Sequence, residues 1–288
     1  MGKQRKRAES APRSPEAAGT RPKRVVGLFV EGSRGTDPLR DDFENMWKLL
    51  CEHCGYPDVE LQIVGISKGN IIELRDLEPG PAATALVKGT TQLSGGKEAL
   101  DISIQRLHAK NPLDRVIIAF DRWPSNQSIP VEDQSQACPM RPEVAFILGK
   151  LAKSSKLDDR FRKAADKLLE RYGSRDTLTP RSGAMSPVEV LFMDPMFEAL
   201  LVHDEPTVRR ALDVSAKAPR DWPKFKTTER ALDKAVLDPA VKSAIRGRAS
   251  YSAAKARWGH TIVKAAAPDA KLWEHPLAQR LCRLLAAR

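Results

Sequence analysis

The chain has 288 residues and a net charge of +11, and 41% of its residues are hydrophobic. That length allows one large or two small domains with a sizeable core. No stretch approaches the roughly 18–20 consecutive apolar residues of a membrane-spanning helix, and no apolar segment follows the basic N-terminal residues, so we expect a cytoplasmic protein without membrane contact.

The hydrophobic pattern predicts strands that alternate with helices. In chain order these are a strand over 24–31, a helix over 38–54, a strand over 59–66, an irregular segment over 70–92, a helix over 96–108, a strand over 115–121, a long loop over 122–142, helices over 143–153 and 158–172, a strand over 188–193, and mainly helix from 195 onward. Strands that alternate with helices favour parallel pairing through right-handed crossovers. The predicted fold is therefore α/β and Rossmann-like, with a mainly parallel sheet covered on both faces and a helical C-terminal extension.

The positive charge is concentrated at the two ends of the chain. Residues 1–23 carry +5 and residues 217–288 carry +10, whereas residues 24–216 carry −4. Segment 1–23 lacks the apolar residues of a core, which predicts a disordered basic tail. We expect an α/β domain over 24–213 and a basic helical region over 214–288. An acidic body with basic flanks is typical of proteins that process nucleic acid, although solubility alone could account for part of the asymmetry.

Two of the predicted strands end in a carboxylate. The strand RVVGLFVE ends in Glu31, just before Gly32, and the strand RVIIAFD ends in Asp121. In open α/β sheets, ligands bind beyond the carboxyl ends of the strands. An acid in the position of Asp121 is also common in a turn or helix cap, but Glu is a poor cap. The pair predicts a divalent-metal site.

Glu198 is a third candidate ligand. It opens an apolar helix soon after the strand 188–193, where a carboxylate could point toward the carboxyl edge of the sheet. The alternative is an acid in the first turn that stabilises the helix N-terminus, with Asp194 as the cap and Pro195 in the first helical position. Both interpretations stay open.

The four cysteines do not predict a zinc site. Cys51 and Cys54 have CxxC spacing, but zinc needs four ligands, and Cys138 and Cys282 are isolated in the sequence. Helical spacing places Cys51 and Cys54 on the apolar face of a helix that ends at Gly55. We therefore expect core thiols in a reducing compartment.

The C-terminal region interleaves basic and aromatic side chains, a pattern that suits phosphate contact and base stacking. The candidate nucleic-acid-binding residues are Lys226, Arg246, Arg248, Lys255 and Arg257. The spacing of Tyr251, Lys255 and Trp258 is equally compatible with a helix that has one core face and one solvated charged face. The prediction that this region contacts phosphate is based on its positive charge.

These motifs, in their order, resemble the TOPRIM fold of topoisomerases, primases and OLD-type nucleases, and in particular a group of TOPRIM-like bacterial proteins of unknown function, often associated with genome defence. The matching pieces lie along nearly the whole chain after the tail: Leu28-Phe29-Val30-Glu31-Gly32, Ala119-Phe120-Asp121-Arg122-Trp123-Pro124, Phe197-Glu198-Ala199-Leu200-Leu201, Lys226-Thr227-Thr228 and Tyr251 to Lys255. The resemblance implies that Glu31, Asp121 and Glu198 hold Mg²⁺ (or Mn²⁺) for phosphodiester chemistry, with Glu31 catalytic.

The chain departs from the TOPRIM pattern at two positions. The Asp-x-Asp pair is here Asp121-Arg122-Trp123, and Met196 stands where related proteins often have another acid. We expect Mg²⁺-dependent cleavage or processing of nucleic acid, in a bacterial defence or repair system and with an ATPase as a possible protein partner. The alternative is a non-catalytic subunit that binds nucleic acid or docks a partner and has lost part of the metal site.

Overall fold

A computed structural model describes residues 23–31, 40–66, 99–121, 141–174, 186–193, 197–212 and 255–286. Its strands are β1 (Arg24–Glu31), β2 (Val59–Ile66), β3 (Arg115–Asp121) and β4 (Val188–Met193). Its α-helices are α1 (Arg40–His53), α2 (Leu100–Lys110), α3 (Arg141–Lys153), α4 (Asp159–Ser174), α5 (Glu198–Val202), α6 (Glu205–Leu212), α7 (Lys255–Ala265) and α8 (Pro276–Ala286), and a 3₁₀ helix spans Lys271–Glu274.

The four strands form one sheet in the order β2-β1-β3-β4, and every neighbouring pair is parallel. Val30 lies opposite Ala119 in the β1–β3 register. The parallel α/β fold predicted from the hydrophobic pattern is thus confirmed for the described part of the chain. Parallel strands require a crossover, and α1 supplies the one between β1 and β2.

Helices cover both faces of the sheet, because alternate residues of each strand face opposite sides. Leu28 and Ile117 belong to one hydrophobic cluster, which also contains side chains of α1, α5, α6, α7 and α8. Phe29 and Ile118 belong to the other, which contains side chains of α2, α3 and α4. The result is a three-layer arrangement with the sheet in the middle.

Most predicted element boundaries agree with the structure within three residues. The exception is α2, which begins at Leu100 because Ala99 has an extended backbone, although the pattern placed its start near Gly96. Gly55 follows α1 with a positive φ of 72°, as a glycine that ends a helix does. The tail over 1–22, the irregular segment, most of the loop 122–142 and the domain boundary at 213/214 lie outside the described residues.

The C-terminal helix α8 is tied to the sheet by two arginines. The Arg115 guanidinium on β3 donates a hydrogen bond to the carbonyl oxygen of Leu284, and Arg280 donates to the carbonyl oxygen of Val190 at 3.0 Å. Arg115 is 8% exposed, and this burial lowers its pKa. The nearby Glu189 carboxylate offsets part of the effect. A cation near the C-terminal end of a helix also interacts favourably with the helix dipole.

The cysteine prediction is wrong for two of the residues. Cys54, just after α1, forms a disulfide with Cys282 on α8. Cys282 looked isolated because its partner is 228 positions away in the sequence. Cys51 agrees with the prediction, since it is a free thiol and 5% exposed in the core. We expected a reducing compartment because we took the cysteines to be free thiols. Cys54 and Cys282 are not free thiols, so they do not support that expectation.

None of the helices in the described ranges is long and apolar enough to span a bilayer.

Candidate functional site

Glu31 and Asp121 lie at the same edge of the sheet, on neighbouring strands. Glu31 is the last residue of β1 and Asp121 is the last residue of β3. Their strands are parallel, and Val30 pairs with Ala119, so both strands end at nearly the same level. This is the carboxyl edge, where α/β sheets bind their ligands.

Glu198 follows the next strand of the sheet. β4 pairs with β3, and Asp121 lies opposite Met193, the last residue of β4. Five positions later Glu198 begins α5, where it is 6% exposed beside the fully buried Ala199 and Leu200. The three acids thus lie at, or soon after, the ends of three strands that are neighbours in the sheet, β1, β3 and β4.

The chemistry of these donors suits Mg²⁺ or Mn²⁺, because hard divalent cations take carboxylate oxygens. Mg²⁺ retains several waters and often uses only one or two protein carboxylates. Among side chains that the structure describes, no three His, Cys, Asp or Glu residues form a metal-binding group. The structure describes the backbone of Glu31 and Asp121 but not their side chains, so this statement does not include them.

A histidine and an aspartate from distant parts of the chain meet at the same end of the molecule. Nδ1 of His260, on α7, lies 2.9 Å from Oδ1 of Asp42, on α1. The Arg257 side chain lies one turn earlier on α7, with Nε 3.7 Å from the other Asp42 oxygen. Because α1 carries the chain from the carboxyl end of β1 to the amino end of β2, its first turn, which holds Asp42, lies toward the carboxyl edge.

A glycine lets α7 approach closely enough for this contact. A Cβ atom built on Gly259 would lie only 2.5 Å from Sδ of Met46 on α1 and 3.8 Å from Cδ1 of Leu201 on α5. The adjacent Trp258 is 8% exposed and belongs to the hydrophobic core. Gly259, one residue before His260, therefore lies between the helix that follows β1 and the helix that Glu198 begins.

The predicted nucleic-acid-binding residues are only partly described. The Arg257 side chain is 57% exposed, which leaves much of it accessible beside Asp42. Lys255 is the first residue of α7, but its side chain is outside the described set, as are Lys226, Arg246 and Arg248 altogether. The burial of Trp258 agrees with the alternative of one core face on this helix.

Asp42 and His260 were not predicted from the sequence. Asp42 resembles any acid in the first turn of a helix, and His260 resembles any polar residue of an amphipathic helix. No local pattern links them, because 218 positions separate them and their contact depends on how α7 packs against α1.

No protein-family model matches this chain, and neither the curated proteins nor the solved structures contain a significant match to it.

Proposed function

We propose that the protein is a TOPRIM-like, Mg²⁺-dependent enzyme that cleaves or processes nucleic acid. The observation that supports the proposal is the sheet order, which brings the acid-bearing ends of β1 and β3 side by side and places Glu198 after the adjoining β4. The resemblance to TOPRIM proteins requires acids that converge on the carboxyl edge of a parallel sheet. The specific fold family is part of the proposal.

In this proposal Glu31, Asp121 and Glu198 hold Mg²⁺ or Mn²⁺, and Glu31 is catalytic. A bound divalent ion would stabilise charge that develops on the phosphoryl oxygens. Glu198 is buried among apolar side chains, so its position is fixed by the packing of α5. A glycine, Gly32, follows Glu31 in the sequence, and its lack of a side chain would let a substrate or loop approach closely.

Basic side chains would bind the nucleic-acid backbone by charge. Arg257 is exposed on α7, and Lys226, Arg246, Arg248 and Lys255 belong to the same basic C-terminal region. Such contacts position the substrate and weaken as salt concentration rises. The proposed setting is a bacterial defence or repair system, with an ATPase as a possible partner.

The second candidate is a non-catalytic subunit that binds nucleic acid or docks a partner. It is favoured by Asp121-Arg122-Trp123, which lacks the second acid of the TOPRIM Asp-x-Asp pair. A protein of this kind would retain the basic surface while its metal affinity was weak or absent.

Cleavage assays distinguish the two candidates. Purified protein is incubated with plasmid and with single-stranded DNA and RNA, in the presence of Mg²⁺ or Mn²⁺ and with EDTA as the negative control. We expect divalent-dependent cleavage that Glu31→Gln and Asp121→Asn abolish while nucleic-acid binding persists. Glu60→Gln is the matched control, because Glu60 is an exposed acid on the same sheet near its amino edge.

Metal binding provides a separate measurement. Titration of Mn²⁺, followed by its paramagnetic resonance signal, should show a bound fraction in the wild type and in Glu60→Gln that falls in Asp121→Asn. Binding of nucleic acid without cleavage or specific Mn²⁺ binding would favour the non-catalytic subunit. Undiminished cleavage by Glu31→Gln would contradict the assigned role of Glu31.

A further inference from the structure

We propose that His260 is the proton-transfer group of this site and that Asp42 orients it. The inference rests on the proposed phosphodiester chemistry and adds a residue that neither the sequence motifs nor the TOPRIM resemblance assigns. It begins from the contact between His260 Nδ1 and Asp42 Oδ1, at 2.9 Å, near the carboxyl edge of the sheet.

The contact determines which nitrogen of the neutral ring can accept a proton. An ionised carboxylate only accepts hydrogen bonds, so the proton of the neutral imidazole is on Nδ1, which donates to Asp42. Nε2 then carries the lone pair and can accept a proton. No hydrogen bond to Nε2 occurs among the described residues, and the His260 side chain is 21% exposed.

A second histidine–aspartate pair shows what a purely structural arrangement looks like here. His108 Nε2 lies 3.0 Å from Asp158 Oδ2, and His108 Nδ1 accepts a hydrogen bond from the backbone N–H of Leu113 at 2.9 Å. Both ring nitrogens of His108 are therefore engaged. His260 differs because, in the part of the chain that the structure describes, only its Nδ1 has a partner, Asp42.

The position of His260 suits a role beside the three acids. α7 packs against α1, whose first turn follows β1, and against α5, which begins at Glu198. The exposed Arg257 side chain, one turn away, gives the same surface a positive charge that attracts a phosphate. A phosphate ester at this edge would have an acceptor for a proton and a cation close together.

The proposed step is hydrolysis of a phosphodiester. A water oxygen forms a bond to phosphorus while one proton of that water passes to Nε2 of His260. The bond between phosphorus and the leaving oxygen breaks, and the leaving oxygen takes a proton from solvent. The imidazolium afterwards releases its proton to solvent, which restores the neutral ring. Asp42 stabilises the imidazolium through Nδ1–H and acts as a positioning residue.

The test separates proton transfer from the structural link between α1 and α7. His260→Asn places an amide N–H near the position of Nδ1, so it retains a donor to Asp42 but cannot accept a proton. We expect this variant to fold with wild-type thermal stability and to lose at least 100-fold in the cleavage rate. His260→Ala should lose as much, and added imidazole should restore part of its rate. Asp42→Asn should lower kcat with little change in KM.

The matched control is His108→Asn, which breaks the other pair; we expect it to lose stability and to keep the cleavage rate per folded molecule. Wild-type cleavage by His260→Asn, or a failure of imidazole to restore any activity to folded His260→Ala, would overturn proton transfer by His260 while leaving the nuclease proposal intact. A wild type that cleaves no substrate with either metal would overturn both proposals.

Discussion

Cys54 and Cys282 are joined by a disulfide that links the end of α1 to α8, across 228 positions of sequence. Both half-cystines are partly exposed, whereas Cys51, three positions before Cys54, is buried. The stacked rings of His53 and Trp273, with centroids 3.8 Å apart, lie on the same side of the molecule. The covalent link and this stack join the first crossover helix to the C-terminal part of the chain.

Reduction of the disulfide should destabilise the fold. A cross-link over so long a loop restricts the unfolded chain, and the typical contribution is about 2–4 kcal/mol. For a protein of this size, the melting temperature should fall by roughly 5–15 °C in the presence of a reductant. Cys282→Ser provides the control, because it should melt at the temperature of the reduced wild type and should not respond to reductant. Equal melting curves for oxidised and reduced wild type would show that the link does not stabilise the fold.

Cys51 should be unreactive in the native protein. Its burial, and to a lesser degree the neighbouring Glu52 carboxylate, raise the pKa of the Cys51 thiol to about 12. The thiolate is the reactive form, so little of it exists at pH 8. In a Cys138→Ser background under oxidising conditions, iodoacetamide should label Cys51 only after denaturation. Mass spectrometry that finds native Cys51 alkylated within minutes would contradict this burial.

Two helical glycines should respond oppositely to replacement by alanine. At Gly149, on α3, a new Cβ would lie 3.7 Å from Cδ2 of Leu169, an ordinary contact. Gly149→Ala should therefore stabilise the protein by up to about 1 kcal/mol through helix propensity. At Gly259 the new atom would lie 2.5 Å from Sδ of Met46, and the crowding should cost about 1–3 kcal/mol.

Urea denaturation measures both changes in the free energy of unfolding. Combining Gly259→Ala with Met46→Ala removes the clash, so the double variant should be less destabilised than the sum of the two single variants. Strict additivity of the two changes would mean that Gly259 and Met46 do not meet as described.

The sequence predicted the sheet well because each strand is a short, mainly apolar segment whose length and flanking turns are local properties. The positions of Glu31 and Asp121 at one edge followed from that pattern, since parallel strands end on the same side. The Cys54–Cys282 bond and the Asp42–His260 contact could not be predicted in this way. Each depends on how α7 and α8 pack against α1, and the sequence between the partners carries no periodic signal of that packing.

His275 should make the protein sensitive to mild acid. This residue precedes α8, and its Nδ1 accepts a hydrogen bond from the backbone N–H of Leu277 at 3.1 Å. A protonated ring could not accept that bond, and it would place a positive charge at a helix N-terminus. Burial, and secondarily the nearby His203, lower the pKa of His275 to about 4 from the ordinary value of 6.5.

The direction of the pH effect follows from the two pKa values of His275, 6.5 in the unfolded chain and about 4 in the folded protein. Between pH 6.5 and pH 4 the unfolded chain binds a proton at His275 that the folded protein excludes, so the free energy of unfolding falls as the pH falls. The loss approaches about 1.4 kcal/mol per pH unit and totals about 3 kcal/mol, and stability from this source is complete above pH 6.5. Urea denaturation at several pH values should show this slope superimposed on the titration of other groups.

His275→Asn isolates the contribution of His275, because asparagine retains an acceptor for the Leu277 N–H, is a favoured N-cap and does not titrate. Subtracting the pH profile of this variant from that of the wild type cancels groups common to both. The difference should be flat above pH 6.5 and should decline toward pH 4. A difference that stays flat across this range would mean that His275 is protonated in the folded protein as readily as in the unfolded chain, and that its contact with Leu277 does not hold the ring neutral.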